Sequence, residues 1–549
     1  MSAGRLDPGE RVRALRRLTE ERVDVLVVGG GVVGAGAALD AASRGLRVGI
    51  LERRDWASGT SSRSSRLAHG GLRYLEQLEF ALVHQALSER GLLLERLAPH
   101  LVRPVPFVLP LTHRGWERPY IGTGVALYDV LSRVSRKGGA LPGHRHLSRK
   151  ATARLAPGLA PASYTGAIGF FDAQIDDARH TLALVRTAVA HGAHAASRVE
   201  VTGFLREEDS VVGVEARDHE SGRDMRIRAR VVAGATGVWT PETAALLGGE
   251  TKPGHVQPSK GVHLIVPRGA IDLHAALIAR TRSSVLFLLP WGQTWLVGTT
   301  DTPWDGDPDE PSVTAQDVDY LLAEANRWLT RPLTHDDVVS VYAGLRPLLA
   351  ATDEGVDTAK LSREHAVTRP AAGFVQVAGG KYTTYRVMAR DLVDAAVAGL
   401  PFAVPPSRTE QVPLVGAEGF AQAWAERETY AVESGLGETQ VRRLLRRYGA
   451  DAPEVLEVAS DDPAARELVH PEAPLLRAEA RYAVTHEGAL RLEDVLLRRT
   501  RLAFVTRDGA RSVAEEVARI VAPFLGWDED RVADEVAAFR ALAPHVDEP

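Results

Sequence analysis

The sequence predicts an α/β protein with a helical domain appended on its C-terminal side. Three observations carry this. A strand, glycine turn, helix and second strand ending in an acid span residues 23–52. Strand-like segments cluster between residues 198 and 377. The texture turns proline-rich after Leu400 and helical from about Gly416. At 549 residues the chain is too long for one hydrophobic core, so two or three domains are expected.

The first unit reads element by element. Residues 23–28, VDVLVV, form a short β-branched apolar run, as a buried parallel strand requires. GGGVVGAG follows, then an alanine-rich helical stretch stopping at Gly45, then a second strand ending at Glu52. Gly29, Gly31 and Gly34 make a GxGxxG pattern. Gly29 allows the tight turn, Gly31 lets a pyrophosphate approach the backbone, and Gly34 lets helix and strand pack closely. The helix N-terminus then faces the anion with free N–H groups. Glu52 stands where an acid meets a ribose 2′-hydroxyl, which favours FAD or NAD over NADP.

Residues 80–97 and 177–191 read as helices. Strands are expected at 198–205, 211–216, 225–233, 262–266, 285–289, 294–297, 338–343 and 374–377, and a helix at 316–329. The strand at 374–377 runs into AGGKYTTYR, a glycine turn opening a helix. That is the form of a second backbone anion site, suited to the negative N1–C2=O edge of a reduced flavin, and it favours FAD over NAD. GATGVWT, residues 234–240, is a further small-residue turn after a strand. After Leu400, PFAVPPSRTEQVPL reads as a linker. VRRLLRRYG in the last domain reads as a solvated basic helix, with anionic lipid as the other reading.

Composition removes several classes. With 45% hydrophobic and 25% charged residues the chain has globular composition, and a net charge of −5 argues against a dedicated nucleic-acid binder. The absence of cysteine removes disulfides, thiolate metal sites and cysteine nucleophiles. The N-terminal residues lack the apolar core of a signal peptide, and no run of about 20 apolar residues occurs. A cytoplasmic protein is expected, with peripheral attachment to the inner face of the cell membrane left open. No metal is expected. The six lysines are few beside the arginines, which singles out Lys381. A cation directly behind Gly379–Gly380 at a helix start opposes the dipole unless an anion compensates it.

The ordered motifs GGGVVGAGAALDAASRGLRV, ASGTSSRSSRLAHGGLRYLEQLEF, FFDAQIDDAR, SKGVHLIVP, PWGQTWLVGTTD, AGLRPL, SREHAV and GGKYTTYRVMA resemble the FAD-dependent, quinone-linked glycerol-3-phosphate dehydrogenases over residues 21 to about 400. The C-terminal region is similar to that family's extra domain, with weaker signal. Gly234 departs from the family, which often has asparagine before ATG.

The resemblance implies a glutathione-reductase-type FAD-binding Rossmann domain in segments 21–98, 177–254 and 346–400. It implies an antiparallel-sheet substrate domain in segments 99–176 and 255–345, a linker at 401–415 and a helical C-terminal domain at 416–549. It implies oxidation of sn-glycerol 3-phosphate to dihydroxyacetone phosphate by hydride transfer from C2, with a quinone reoxidising the flavin. The related oxidases use oxygen and carry an insertion in the catalytic body; none is evident here, which favours the dehydrogenase. A homodimer is left open.

A phosphate dianion calls for cations in bidentate geometry. The resemblance points to Arg73, Arg346 and Arg363, with Lys381 as a compact charge and Tyr74 as a donor. For the base it points to His263, which shares the catalytic assignment with Arg346 and Lys381. His69, expected nearer the flavin, and arginine-assisted deprotonation are its competitors. For the flavin, Gly29, Gly31, Gly34 and Glu52 are joined by Thr60, Ser61 and Ser62 along the phosphates. His69, Gly71, Gly237, Gly380, Thr383 and Thr384 approach the ring. Asp301 reads as a turn acid, and Arg63 and Arg66 as exposed. An amine or amino-acid oxidase of the same fold is the competing activity, and it needs a carboxylate clamp instead of several cations.

Overall fold

The computed structural model describes residues 4–134, 141–248, 256–281, 284–349, 364–458, 460 and 462–544. Arg363, expected at the substrate, lies outside them.

Two sheets organise the catalytic body. The first has a parallel core in the spatial order Phe374–Gly379, Asp224–Gly234, Val23–Val28, Val48–Glu52 and His194–Ser197. Every residue of Val23–Val28 is buried, which is why that strand reads as an unbroken apolar run. Helices Val32–Ser43, Asp177–Ala190 and Tyr385–Val397 share a core with one face of this sheet. The antiparallel hairpin Val199–Glu207 and Ser210–Asp218 extends Asp224–Gly234 and packs over the other face. The helix Pro8–Glu20 joins that layer through Leu18, which lies where a side chain on Gly49 would be. A Cβ on Gly234 would stand 2.9 Å from the Phe374 ring, so the larger side chain of the family pattern has no room here.

The second sheet has ten strands and is antiparallel except where Ala276–Arg280 meets Val102–Leu111. It departs from the expected segments at two places. Leu67–Ala68, inside the first flavin segment, pairs with Gly166–Ile175 of this sheet. Ser340–Leu349 runs through the expected division at 345/346, because its ten-residue register with Val256–Pro267 is unbroken. The expected linker is a packed strap. Val412 and Leu414 are buried in the core of the first sheet, and the Leu414 N–H donates to the Leu97 carbonyl at 2.9 Å.

The C-terminal domain is mainly helical, with one two-stranded ribbon, Leu468–His470 and Ala473–Leu476. It is joined to the catalytic body by buried ion pairs. Asp55 accepts from Arg498 Nε at 2.5 Å and from Arg499 Nη1 and Nη2 at 2.6 and 2.7 Å. Arg179 donates to both oxygens of Glu487, at 2.7 and 2.5 Å. Removing one partner of such a pair leaves an uncompensated charge in a medium that solvates it poorly. Asp55→Ala is therefore expected to lower the unfolding free energy by about 3–5 kcal/mol, read as a reduced urea midpoint. An unchanged midpoint would mean that this contact contributes nothing to holding the domains together.

Candidate active site

The turn between Val28 and Val32 is shaped by close approach. Gly29 has φ +110°, and a Cβ there would stand 2.5 Å from the Ala235 carbonyl oxygen. A Cβ on Gly34 would overlap the Gly29 carbonyl oxygen. Gly31 is the N-cap of helix Val32–Ser43 and has no side chain to cap it; Ser61 Oγ supplies the acceptor instead, for the Val32 N–H at 2.9 Å. The helix carries no acid in its first turn, so its N-terminus is left for an external anion. Glu52 accepts from the N–H groups of Gly30 and Arg54, both at 2.7 Å, which fixes its carboxylate at the end of its strand. Burial raises its pKa, and those two bonds oppose the rise.

These residues open onto a cavity of about 790 Å³. Of the expected site residues, Gly29, Gly31, Glu52, Thr60, Ser61, His69, Tyr74, Gly237, His263, Arg346, Gly380 and Lys381 line it. Gly34, Ser62, Gly71, Arg73, Thr383 and Thr384 do not. Gly34 acts through packing, as its motif requires. The buried Ser62 offers its carbonyl to Arg501 Nη1 at 2.8 Å, which supports the loop. The hydroxyls of Thr383 and Thr384 are turned to the carbonyls of His69 and Lys381, each at 3.2 Å, which ties the GGKY turn to the AHGG loop. Arg73 donates to Ser284 Oγ at 3.3 Å. Gly71, with φ +81°, leaves space for the Tyr74 ring, over whose face Lys381 Nζ sits at 3.3 Å from the centroid.

On the opposite wall His263 is 2% exposed, stacks on Tyr342 at 4.9 Å and places Nε2 2.8 Å from Ser65 Oγ. Burial, then the positive charges of Arg346 and Arg66, push its pKa down to about 3. His69 is pushed down to about 4, first by burial. Among the described residues, Arg346 donates through Nη1 to Ser259 Oγ and Asp301 Oδ1 at 3.4 and 3.2 Å and through Nη2 to Thr299 Oγ1 and the Thr300 carbonyl, both at 3.0 Å. Asp301 thus fixes an arginine of the cavity and is not a simple turn acid.

The expectation that Arg63 and Arg66 are exposed is wrong. Arg63 lines the cavity, and burial lowers its pKa to about 10. Arg66 is 0% exposed, with its guanidinium 3.2 Å from the Trp291 ring centroid. Ser65 and Tyr342, the neighbours of His263, were missed by sequence reasoning. Ser65 is one of five serines and threonines between Thr60 and Ser65, and Tyr342 comes beside His263 through pairing of strands distant in the sequence.

The residues present fit FAD. The glycine cradle, a helix start with no acid in its first turn, the fixed acid and a cavity reaching a second glycine turn are what a dinucleotide with a ring at one end needs. The class is that of FAD-dependent oxidoreductases, and that family matches residues 24–386. Residues 407–532 match the C-terminal domain of alpha-glycerophosphate oxidase. A glycerol-3-phosphate dehydrogenase of Mycobacterium leprae is 52% identical over 544 residues, covering 98% of this chain and 91% of the relative. The human mitochondrial glycerol-3-phosphate dehydrogenase is 33% identical, covering 97% of this chain and 75% of the relative. The crystal structure of glycerol-3-phosphate dehydrogenase from Bacillus halodurans complexed with FAD superposes with a TM-score of 0.79 at 30% identity, covering 97% of both chains. The chain belongs to the FAD-dependent glycerol-3-phosphate dehydrogenase family.

The buried histidines set an acid limit on the fold. His69, His100, His180 and His263 have pKa values lowered to about 4, 3, 3 and 3, with burial as the first cause in each. In the unfolded chain they titrate near 6.5. Between those values the unfolded state binds protons that the native state refuses, so stability rises with pH. The unfolding free energy is expected to drop by up to about 1.4 kcal/mol per histidine for each pH unit below about 6. Thermal melts between pH 7 and 5 check this; a Tm that is constant or rises on acidification contradicts it.

Proposed function

We propose that the protein oxidises sn-glycerol 3-phosphate at C2 to dihydroxyacetone phosphate and passes the electrons to a quinone. The observation that carries the reading is one cavity with a dinucleotide cradle at one side and Arg346, Lys381, Tyr74 and His263 on its walls. When bound, FAD supplies the two-electron acceptor for the hydrogen leaving C2. The chain's own residues bind the dianion and take the hydroxyl proton. Arg346, already fixed by Ser259, Asp301 and the 299–300 backbone and side chains, meets the phosphate without losing much rotamer freedom. Lys381, braced on Tyr74, adds the second cation.

His263 is neutral at physiological pH, as a proton acceptor must be. Its low affinity for a proton comes partly from Arg346, and a dianion beside Arg346 cancels that push, so substrate entry strengthens the base. Ser65 and Tyr342 hold its ring. Several cations on the cavity walls favour a phosphate dianion over a neutral amine.

Anaerobic addition of glycerol 3-phosphate is expected to bleach the flavin absorbance, with colour restored by a soluble quinone faster than by oxygen. Glycine or sarcosine should leave the spectrum unchanged. Bleaching by these amines alone, or faster return with oxygen, would replace the reading by an amine oxidase or a glycerol-3-phosphate oxidase. His263→Ala is expected to lower kcat by about 10²–10⁴. Arg346→Gln is expected to raise KM at least about tenfold, the loss of one charge-assisted contact. Near-normal turnover of His263→Ala excludes it as the base.

A further inference from the structure

A second cavity, of about 1340 Å³, lies between the catalytic body and the C-terminal domain. One wall comes from the start of strand Val102–Leu111, the end of Gly166–Ile175 and the turn at Trp291. The other comes from helix Glu438–Tyr448, the basic helix of the sequence, with Phe420 and Trp424 beside it. The basic helix therefore faces folded protein across a cleft.

Eight arginines line this cleft against three acids, Glu95, Asp176 and Glu472. Several of the arginines are neutralised: Arg179 by Glu487, Arg442 by Glu438, Arg443 by Glu479. Three are not. Arg103 donates Nε and Nη2 to the neutral Gln174 Oε1 at 3.2 and 2.6 Å, and among the described residues no carboxylate is within ion-pair reach of it. Arg446 has no ion pair among them either, and rests on the Trp424 ring at 4.9 Å. Arg447 is 14% exposed and has only distant acids, Glu479 at 3.6 Å and Asp176 at 4.0 Å. Its Nε and Nη2 are buried without a hydrogen-bond partner. Buried guanidinium N–H groups left unbonded are costly, and a protein interior normally supplies an acceptor. Arg103 and Arg446 also repel: after burial, Arg446 is the next cause lowering the pKa of Arg103.

We propose that this cleft binds a phosphorylated small molecule, with Arg103, Arg446 and Arg447 as its cations and Trp424 as an apolar wall. Planar guanidinium groups match phosphate oxygens in pairs, and an anion there relieves both the repulsion and the unbonded donors. Two facing walls favour a small ligand over a flat lipid surface.

The test is calorimetric titration of the FAD-loaded enzyme with inorganic pyrophosphate. One saturable site is expected, weakened at least tenfold by Arg446→Gln and by Arg103→Gln and unchanged by Arg346→Gln. Arg446 is exposed, so its variant folds, and without pyrophosphate it should turn over as the native enzyme does. Absence of saturable binding overturns the proposal. So does binding that is lost in Arg346→Gln and kept in Arg446→Gln, which would assign the anion to the catalytic cavity. Binding to anionic phospholipid vesicles that depends on Arg446 and does not compete with pyrophosphate would replace the small molecule by a membrane surface.

Discussion

Asp177 holds four parts of the chain together. Its side chain is fully buried at the start of helix Asp177–Ala190. One carboxylate oxygen accepts from the Ser64 N–H and hydroxyl at 3.0 and 2.7 Å; the other accepts from Arg501 of the C-terminal domain. Its carbonyl accepts from the Tyr382 hydroxyl at 2.7 Å. The serine loop, the GGKY turn, the helix over the first sheet and the C-terminal domain are thereby fixed against one residue. Loops that carry polar function need such over-determination, because their own backbone bonds are few.

The same loop explains the electrostatics of the cavity. Arg66 adopts φ +55° and is buried against Trp291 and Tyr342, with ring faces instead of a carboxylate as its nearest partners. A cation placed so is poorly screened. Burial first, then this field and that of Arg346, keep His263 neutral, and the two cations favour any anion that enters. A second buried network supports the other end of the loop. Tyr128 accepts from the Gly70 N–H at 2.8 Å and donates to Asp172 at 2.7 Å, and Arg90 completes the set.

Much of this was legible in the sequence because it depends on local patterns. The strand Val23–Val28, the glycine turn and Glu52 need only neighbours in the chain to be recognised. The second glycine turn was readable for the same reason. What escaped depends on pairing between distant segments. Thr383 and Thr384 have the right chemistry for a cofactor, but their hydroxyls serve carbonyls. Ser62 gives its carbonyl to Arg501, 439 positions away. Arg66 looked like one more surface arginine, since composition cannot tell a solvated cation from one enclosed by two aromatic rings.

The ion pairs of Asp55 have a consequence for how the chain is made. Asp55 and Arg499 are separated by 444 positions. At roughly 5–20 residues per second, the carboxylate leaves the ribosome about 20–90 s before its partner exists. During that interval the N-terminal βαβ unit is already out, yet a charge in its first loop has nowhere to be buried. Until Arg498 and Arg499 have been made, Asp55 remains solvated by water, and the native contacts of its loop are completed only with the last domain. A chain cut short before residue 498 is left permanently at that stage.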